Sequence, residues 1–477
     1  MCKYLICNFS CLVFLLLFGT NNLNAQGLNN QKVNGYKGIW FTLGQFSDFG
    51  DKYSGGLGTY TAKHIPLSIY SSEANKTFFV YGGTTGENDR YLLCMIGSYD
   101  HASKKVSKPT VVYDKQGVDD PHDNPSLAMD ADGYIWVFVS GRGRSRPGYK
   151  YKSNKPYSIE SFDQVTEEEM TYPQPKYIPG QGFLHLFTKY TGIRELYFET
   201  SPDGATWTED QKLVGMRREG DENGGHYQIS GQHGNKVVFF FNWHPNGNVD
   251  QRTNIYYLQT TDFGNSWTTV EGKNISVPVM DVDSPVLLQE FFSQKKNVYI
   301  KDVSFDEKGN PAALYLIGSG HEPGPLNGPR EWFVLHWTGE EWQNHKITES
   351  DQNYDTGSLI IKEDEWMVVG PTDNSPQLWG SGGEVVMWKS QDQGKTWKKT
   401  KQLTKNSDRN HNYVRKVVNG TDPFYFFWAD GNPDKLSQSI LYFGDSKGKV
   451  WELPYLMEED FEKPKRVRQG LFNFLFW

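Results

Sequence analysis

His122 follows Asp119, Asp120 and Pro121 and precedes a short apolar run, Pro125 to Met129. An Asp132-Gly133 turn and an apolar strand from Tyr134 to Val139 come next, and that strand runs into Gly141-Arg142-Gly143-Arg144. A turn dipeptide between two apolar runs predicts a hairpin. The residue before its first strand and the loop after its second then lie at one end. His122 is therefore expected to share an edge with Arg142 and Arg144. An imidazole beside guanidinium groups suits proton abstraction next to a carboxylate, because arginine neutralises the anion while histidine moves the proton. Residues 141–155 also carry Arg146, Lys150, Lys152 and Lys155 and no acid. Alone, such a run is a solvated surface loop; the adjacent histidine is what gives it a functional reading.

The elements that would position these groups emerge when the apolar strands following a turn are stacked on one another. The cores are Thr77 to Tyr81, Tyr134 to Val139, Phe183 to Thr188, Val237 to Phe241, Ala313 to Ile317, Trp366 to Val369 and Phe424 to Trp428. Each has a strand candidate before it and another after a polar loop. The third strand often runs into a turn of the form S/T-x-D-x-G-x-T/S-W. It appears at Ser201 to Trp207, Thr261 to Trp267, Ser390 to Trp397 and, decayed, Asp445 to Trp451. Units about 40 to 60 residues long match four-stranded propeller blades. The expected fold is all-β: a seven-bladed β-propeller over residues 26–456, with the strand from Tyr36 to Phe41 completing the seventh blade and closing the ring against exposed edges. The tail, 457–477, has no assigned place, including its apolar end, Leu471 to Trp477.

In this register the innermost strands begin at His64, His122, Tyr172, His226 with Tyr227, Tyr299, Tyr354 and His411. The second loops add Arg142 and Arg144, Tyr190 with Arg194, His244 with Arg252, His321 and Trp379. All of these should ring one mouth. Tyr299, Tyr354 and His411 are read as channel fillers. His122, Tyr172, Tyr190, Arg194, His226 and Tyr227 cluster on three neighbouring blades and are read as functional.

Composition narrows the partners. A formal net charge of -8 argues against general nucleic-acid or polyanion binding by the whole surface, so an anionic substrate must meet a local positive patch. The first 25 residues begin with Lys3, pass through Cys11 to Phe18 and reach Leu23-Asn24-Ala25, the layout of a secretory signal cleaved near Ala25. They are too short for a convincing membrane span. Export to the periplasm or the medium, as a monomer, is expected. The mature chain keeps Cys94 alone, which allows no internal disulfide. No H-E-x-x-H motif or cysteine pair marks a metal site. His226, His233 and His244 could converge on zinc, and Asp119-Asp120 or Asp281 to Asp283 on calcium, without a specific pattern; no cofactor is required.

The segments His122-Asp-Asn-Pro-Ser126 and Gly133-Tyr-Ile-Trp-Val-Phe-Val-Ser-Gly-Arg-Gly-Arg144, with Phe187-Thr-Lys-Tyr190 and Arg194-Glu-Leu196, resemble the Asp-box or BNR-repeat proteins. This group includes the seven-bladed ulvan lyases of polysaccharide lyase families twenty-four and twenty-five. The resemblance implies β-elimination on a uronic-acid-containing, sulfated polysaccharide. It supplies a histidine and a tyrosine as base and acid and an arginine that neutralises the carboxylate. Carried onto this chain, these are His122, Tyr190 or Tyr227, and Arg194. His64, Arg142, Arg144, Tyr172, His226, His244 and Arg252 would contact substrate. Some relatives have a second histidine where this chain has Arg142 and Arg144, which leaves the preferred uronate open. A sialidase is not expected, because Lys63-His64-Ile65-Pro66 lacks the arginine of the corresponding sialidase segment. Expulsion of water from a terminal uronate, hydrolysis of rhamnosyl-glucuronate and glycan binding without catalysis are the alternatives.

Overall fold

The structure is a computed structural model that describes residues 27–86, 89–363 and 365–467. The signal segment, 1–25, and the apolar end, Leu471 to Trp477, lie outside the described residues. Seven antiparallel meanders follow one another along the described chain. Their innermost strands are Ser68–Ser71, Pro125–Met129, Thr171–Ile178, Gln228–His233, Asn297–Phe305, Ser358–Lys362 and Asn410–Thr421. Each contacts the next, and the last contacts the first through a parallel bridge between Val418 and Ile69.

The second strands are apolar runs rather than alternating sequences, because each meander is covered on both faces by its neighbours. In Ile135–Val139 every residue is buried. Between the innermost strands, polar side chains satisfy backbone and one another. Ser126 Oγ donates to Pro173 O (2.9 Å), Gln174 Oε1 accepts from Ser230 N and Oγ (2.8 and 2.6 Å), and Ser358 Oγ donates to Val414 O (3.0 Å). Lower in the ring, Lys416 pairs with Asp302 (3.2 Å), and the Arg415 guanidinium donates to the carbonyls of Thr61, Ala62 and His64.

The Asp-box turns fold as their residues dictate. Asp392 Oδ1 accepts from Ser390 Oγ (2.7 Å) and Thr396 N (2.9 Å), and Trp397 Nε1 donates to Gly394 O (2.9 Å). In the turn at 260–267 the hydroxyl is that of Thr260, which bonds Asp262 (2.8 Å).

The N-terminal strand does not complete the last meander. Gly38–Thr42 pairs with Ser437–Ser439 on one side and Ser54–Gly56 on the other, in a separate three-stranded sheet. The outer position is taken by Val450–Glu452, which pairs with Leu441–Gly444 and then with Lys465–Val467 from the tail. Phe461–Glu462 pairs with Lys105–Ser107 of the first meander, so the described part of the tail straps the two ends of the chain together. The last strand of this sheet, Ser54–Gly56, leads into residues 60–63, which with Tyr53 line the cavity at the mouth.

Candidate active site

Two bulges turn aromatic side chains into the mouth. The pairing of Thr171–Ile178 slips between Thr171 and Gln174, and that of Asn410–Thr421 between Asn412 and Arg415. Tyr172 (φ 56°) and Tyr413 (φ 54°) sit in these slips with left-handed backbone, which a bulky residue holds only where its surroundings enforce it.

The resulting cavity is lined by Lys63, Arg142, Arg194, Arg252 and Lys301, by seven tyrosines, and by His122. No carboxylate is among its described lining residues. Of the five cations, only Arg142 lies within 4.0 Å of a carboxylate among the described residues, Asp120. His122 and Tyr53 also border a second cleft, with Arg90 and Arg146.

His122 lies in the short turn Pro121–Asp123, whose N-cap, Asp120, accepts from His122 N (3.0 Å). The same carboxylate oxygen lies 2.5 Å from His122 Nδ1, and Arg146 holds the other at 2.7 Å. Burial alone would raise Asp120, but His122 and Arg142 outweigh it and push the carboxyl well below its usual range. Burial and Arg142 hold the imidazole below its ordinary value despite Asp120. At neutral pH the pair is therefore carboxylate and neutral imidazole. Its proton is on Nδ1 and its lone pair on Nε2, where the Tyr60 hydroxyl donates (3.1 Å).

Tyr227 is the second distinctive group. Lys63 Nζ, Arg194 Cζ and Arg252 Cζ lie 5.5, 5.6 and 5.0 Å from its ring centre. Burial would raise its phenol, but Arg194, Arg252, Arg142 and the hydrogen bond with Tyr172 reverse the sign and lower it. Its neighbours Tyr172, Tyr299 and Tyr354 are all raised, burial being the largest cause. Arg142 Nη1 donates to Tyr172 Oη (3.1 Å). The Tyr172 ring centre is 6.0 Å from His122 and 5.6 Å from Tyr227, so it stands between the two proton-transfer candidates. Arg194 Nη2 donates to Gly247 O (2.7 Å), and its buried Nε has no hydrogen-bond partner among the described residues.

Of the residues expected at the mouth, His122, Arg142, Tyr172, Arg194, Tyr227 and Arg252 line the cavity together. Tyr190 flanks it at the rim, its ring 5.8 Å from the Arg142 guanidinium. His64 does not line it. Its Nδ1 accepts from Thr61 N (3.2 Å) and its Nε2 donates to His122 O (3.0 Å), so both nitrogens are used in supporting the turn that carries His122. His226 and His244 are buried behind Tyr227 and both bond Asn242. Arg144 points outward, its side chain 78% exposed and 3.7 Å from Glu169. Lys150 belongs to a strand, fully buried between Glu168 and Glu199, and not to a cationic loop. Tyr299 and Tyr354, expected as fillers, do line the cavity, and Arg252 Nη2 donates to Tyr354 Oη (2.8 Å). His411 is a filler: its Nδ1 accepts from Trp428 Nε1 (3.0 Å) and its Nε2 meets Ser407 Oγ (3.1 Å).

Sequence reasoning missed Tyr53, Tyr60, Lys63, Lys301 and Tyr413 as cavity residues. The first three come from a segment outside the repeat; its signal was two tyrosines flanking Ser54-Gly-Gly-Leu-Gly58 just before the first meander. His233 lies at the far end of its strand from His226, so the imagined zinc ligands do not converge. Among the described residues no group of three or more His, Cys, Asp or Glu could hold a metal ion. Nor is any helix there long and apolar enough to cross a membrane.

The sequence profile of the BNR repeat-containing family matches residues 78–350, more than half of the chain. The chain belongs to the BNR repeat-containing family. Within reach of this BNR-repeat chain, an ulvan lyase of Nonlabens ulvanivorans is 22% identical over 349 residues, covering 64% of this chain and 71% of that protein. An ulvan lyase of Alteromonas sp. (strain LOR) is 21% identical over 315 residues, 56% of this chain and 63% of its own length. A solved polysaccharide lyase PL25 ulvan lyase superposes with a TM-score of 0.68, at 16% identity, over 88% of this chain and 97% of its own. The same kind of lyase bound to GlcA(1-4)Rha3S gives 0.69. These two share the fold of the BNR-repeat chain.

Proposed function

We propose that this protein is a carbohydrate-active lyase that cleaves a uronate-containing, sulfated polysaccharide or oligosaccharide of the ulvan kind by β-elimination. The seven meanders would be the blades of a propeller whose mouth is the active site. The observation that carries this reading is a cavity that joins unpaired cations to two proton-transfer groups in complementary states. His122 is neutral with its Nε2 lone pair at the cavity wall, where the Tyr60 hydroxyl would have to yield it to substrate, and Tyr227 is a protonated phenol made more acidic by its guanidinium neighbours. The ulvan lyase names of the relatives and of the solved neighbours agree with it.

In the mechanism, Arg194 takes the uronate carboxylate, which acidifies the proton on C5. His122 Nε2 removes that proton, and Asp120 stabilises the imidazolium that forms. The electron pair of the broken C5–H bond becomes the second bond between C4 and C5 as the C4–O bond breaks. Tyr227 gives its proton to the departing oxygen, and the product is a 4,5-unsaturated uronate. Tyr172 and Arg142 would hold Tyr227 and the anion in register, with Tyr190 at the rim. Export through the N-terminal segment, action as a monomer and independence of any cofactor are part of the proposal.

Mass spectrometry of products from sulfated uronate-rhamnose oligosaccharides tests it. Fragments that sum to the parent mass, one with an unsaturated end, are the expected result. A parent lighter by one water would make the protein a dehydratase of terminal uronates. Fragments summing to parent plus water would make it a hydrolase, and an unchanged spectrum across several uronate glycans a binding module.

A further inference from the structure

The carboxylate accounts for only part of the positive charge in the cavity. Arg142 lies against Tyr190 and Arg194 against Tyr227, while Arg252 and Lys301 flank Tyr299 and Tyr354, and Lys63 reaches from Tyr227 to the carbonyl of Ile300 next to Lys301. The Lys63 ammonium has three N–H groups, and its hydrogen bond goes to a single acceptor, Ile300 O (3.1 Å). Lys301, 4% exposed, donates to Asn353 O (2.7 Å). Arg252, also 4% exposed, donates to Val249 O and Tyr354 Oη. None of the three lies within 4.0 Å of a carboxylate among the described residues, and the acid near Arg252, Asp250, is already paired with Lys52. The Tyr299 hydroxyl beside them is buried without a partner.

Burying cations without counter-ions is costly, and a chain bears that cost where a ligand supplies the missing charge. We infer that Lys63, Lys301 and Arg252 form a second anion locus that takes a sulfate ester of the same substrate while the carboxylate occupies Arg194. The inference rests on the lyase reading for the identity of the substrate. A carboxylate is planar and is matched by one guanidinium fork, whereas two ammonium point charges and a guanidinium converging from different strands suit the oxygens of a tetrahedral anion. The electrostatics agree. Burial and the neighbouring cations push Lys63 well below its ordinary range, and burial brings Lys301 down to about 7 although Asp355 opposes it. An arriving anion would return both to the charged form.

Calorimetric titration of the full chain with sodium sulfate, and separately with sodium acetate, tests the locus without requiring turnover. Sulfate is expected to bind at one site and to be weakened about thirtyfold or more by Lys63→Met and by Lys301→Met. Acetate should lose affinity with Arg194→Ala instead. Arg144→Ala, outside the cavity, should change neither. No sulfate binding, or equal binding by the Met variants, would overturn the locus, and acetate losing affinity with the Met variants as sulfate does would make it a carboxylate site. Without ligand Lys63 is held towards its neutral form, so Lys63→Met gives up its hydrogen bond to Ile300 O and should leave the ligand-free thermal midpoint nearly unchanged; a large fall would make the lysine structural and sink the proposal. If the sulfate pattern holds while no uronate glycan is turned over, the locus stands and the lyase reading fails. Turnover with a flat sulfate titration gives the reverse.

Discussion

Two histidines stand at the same place in the repeat, at the start of an innermost strand, and they do opposite things. His122, in the second meander, faces the cavity with Nε2 and an ionised Asp120 behind Nδ1. His411, in the seventh, has one nitrogen engaged by Trp428 and the other by Ser407, both inside the wall. Burial lowers both. What separates them is the partner on the far nitrogen: an anion stabilises a proton arriving on His122, whereas an indole N–H can only donate to neutral His411. Position in the repeat therefore selects candidates, and the atoms bonded to each ring separate the proposed base from the filler.

The sharpest way to break this comparison is to remove the first imidazole. His122→Gln should cut the rate of unsaturated-product formation about a thousandfold, in the range for general base catalysis, while oligosaccharide affinity changes little. Activity within tenfold of wild type would take His122 out of the mechanism. Tyr227→Phe is expected to cost a few hundredfold and to remove the alkaline limb of the pH–rate profile. Asp120→Asn should cost about a hundredfold, because an amide no longer favours the proton on Nδ1. A rate near wild type would mean that the short contact does not set the tautomer.

The pH profile itself follows from the signs. Base catalysis by His122 is lost as protons are added, so the acid limb should lie below the ordinary imidazole value of about 6.5. Acid catalysis by Tyr227 is lost as its proton leaves, so the alkaline limb should lie below the ordinary phenol value of 10.0. Arg252→Met should move that limb upward. The smallest effect belongs to the other histidine. His411→Leu should leave turnover intact and lower unfolding stability in urea by about 1–3 kcal/mol, since the buried Trp428 N–H loses its acceptor. His411 and His226 are held down to about 4 by burial. Between pH 6.5 and 4 the unfolded chain therefore binds protons that the native chain does not, and the thermal midpoint should fall as pH falls through that window.

The strand repeat was legible because buried strands need apolar runs and their turns need Gly and Asp in order, and both requirements are local. The hairpin that brings His122 to Arg142 was legible for the same reason. Residues 53–63 were not, since they belong to no repeat and are held at the mouth by Ser54–Gly56 pairing with Gly38–Thr42 in a sheet of their own. The seventh meander shows a second limit. The bulge before Arg415 lifts Tyr413 into the cavity and leaves His411 in the wall, a two-residue displacement that no count along the strand reveals.

Periodicity, turn chemistry and the spacing of His122 from Arg142 and Arg144 were thus sufficient for an all-β repeat with chemistry at one end of its strands. Only the tertiary structure could sort the charges. It turned Arg144 outward, sank Lys150 between two glutamates, gathered Lys63, Arg194 and Arg252 around Tyr227 and set Lys301 beside Tyr299 and Tyr354, with no carboxylate among the described lining residues. The reason is physical: a side chain's ionisation and role depend on the groups within a few ångströms of it in space, and these groups come from stretches far apart along the chain.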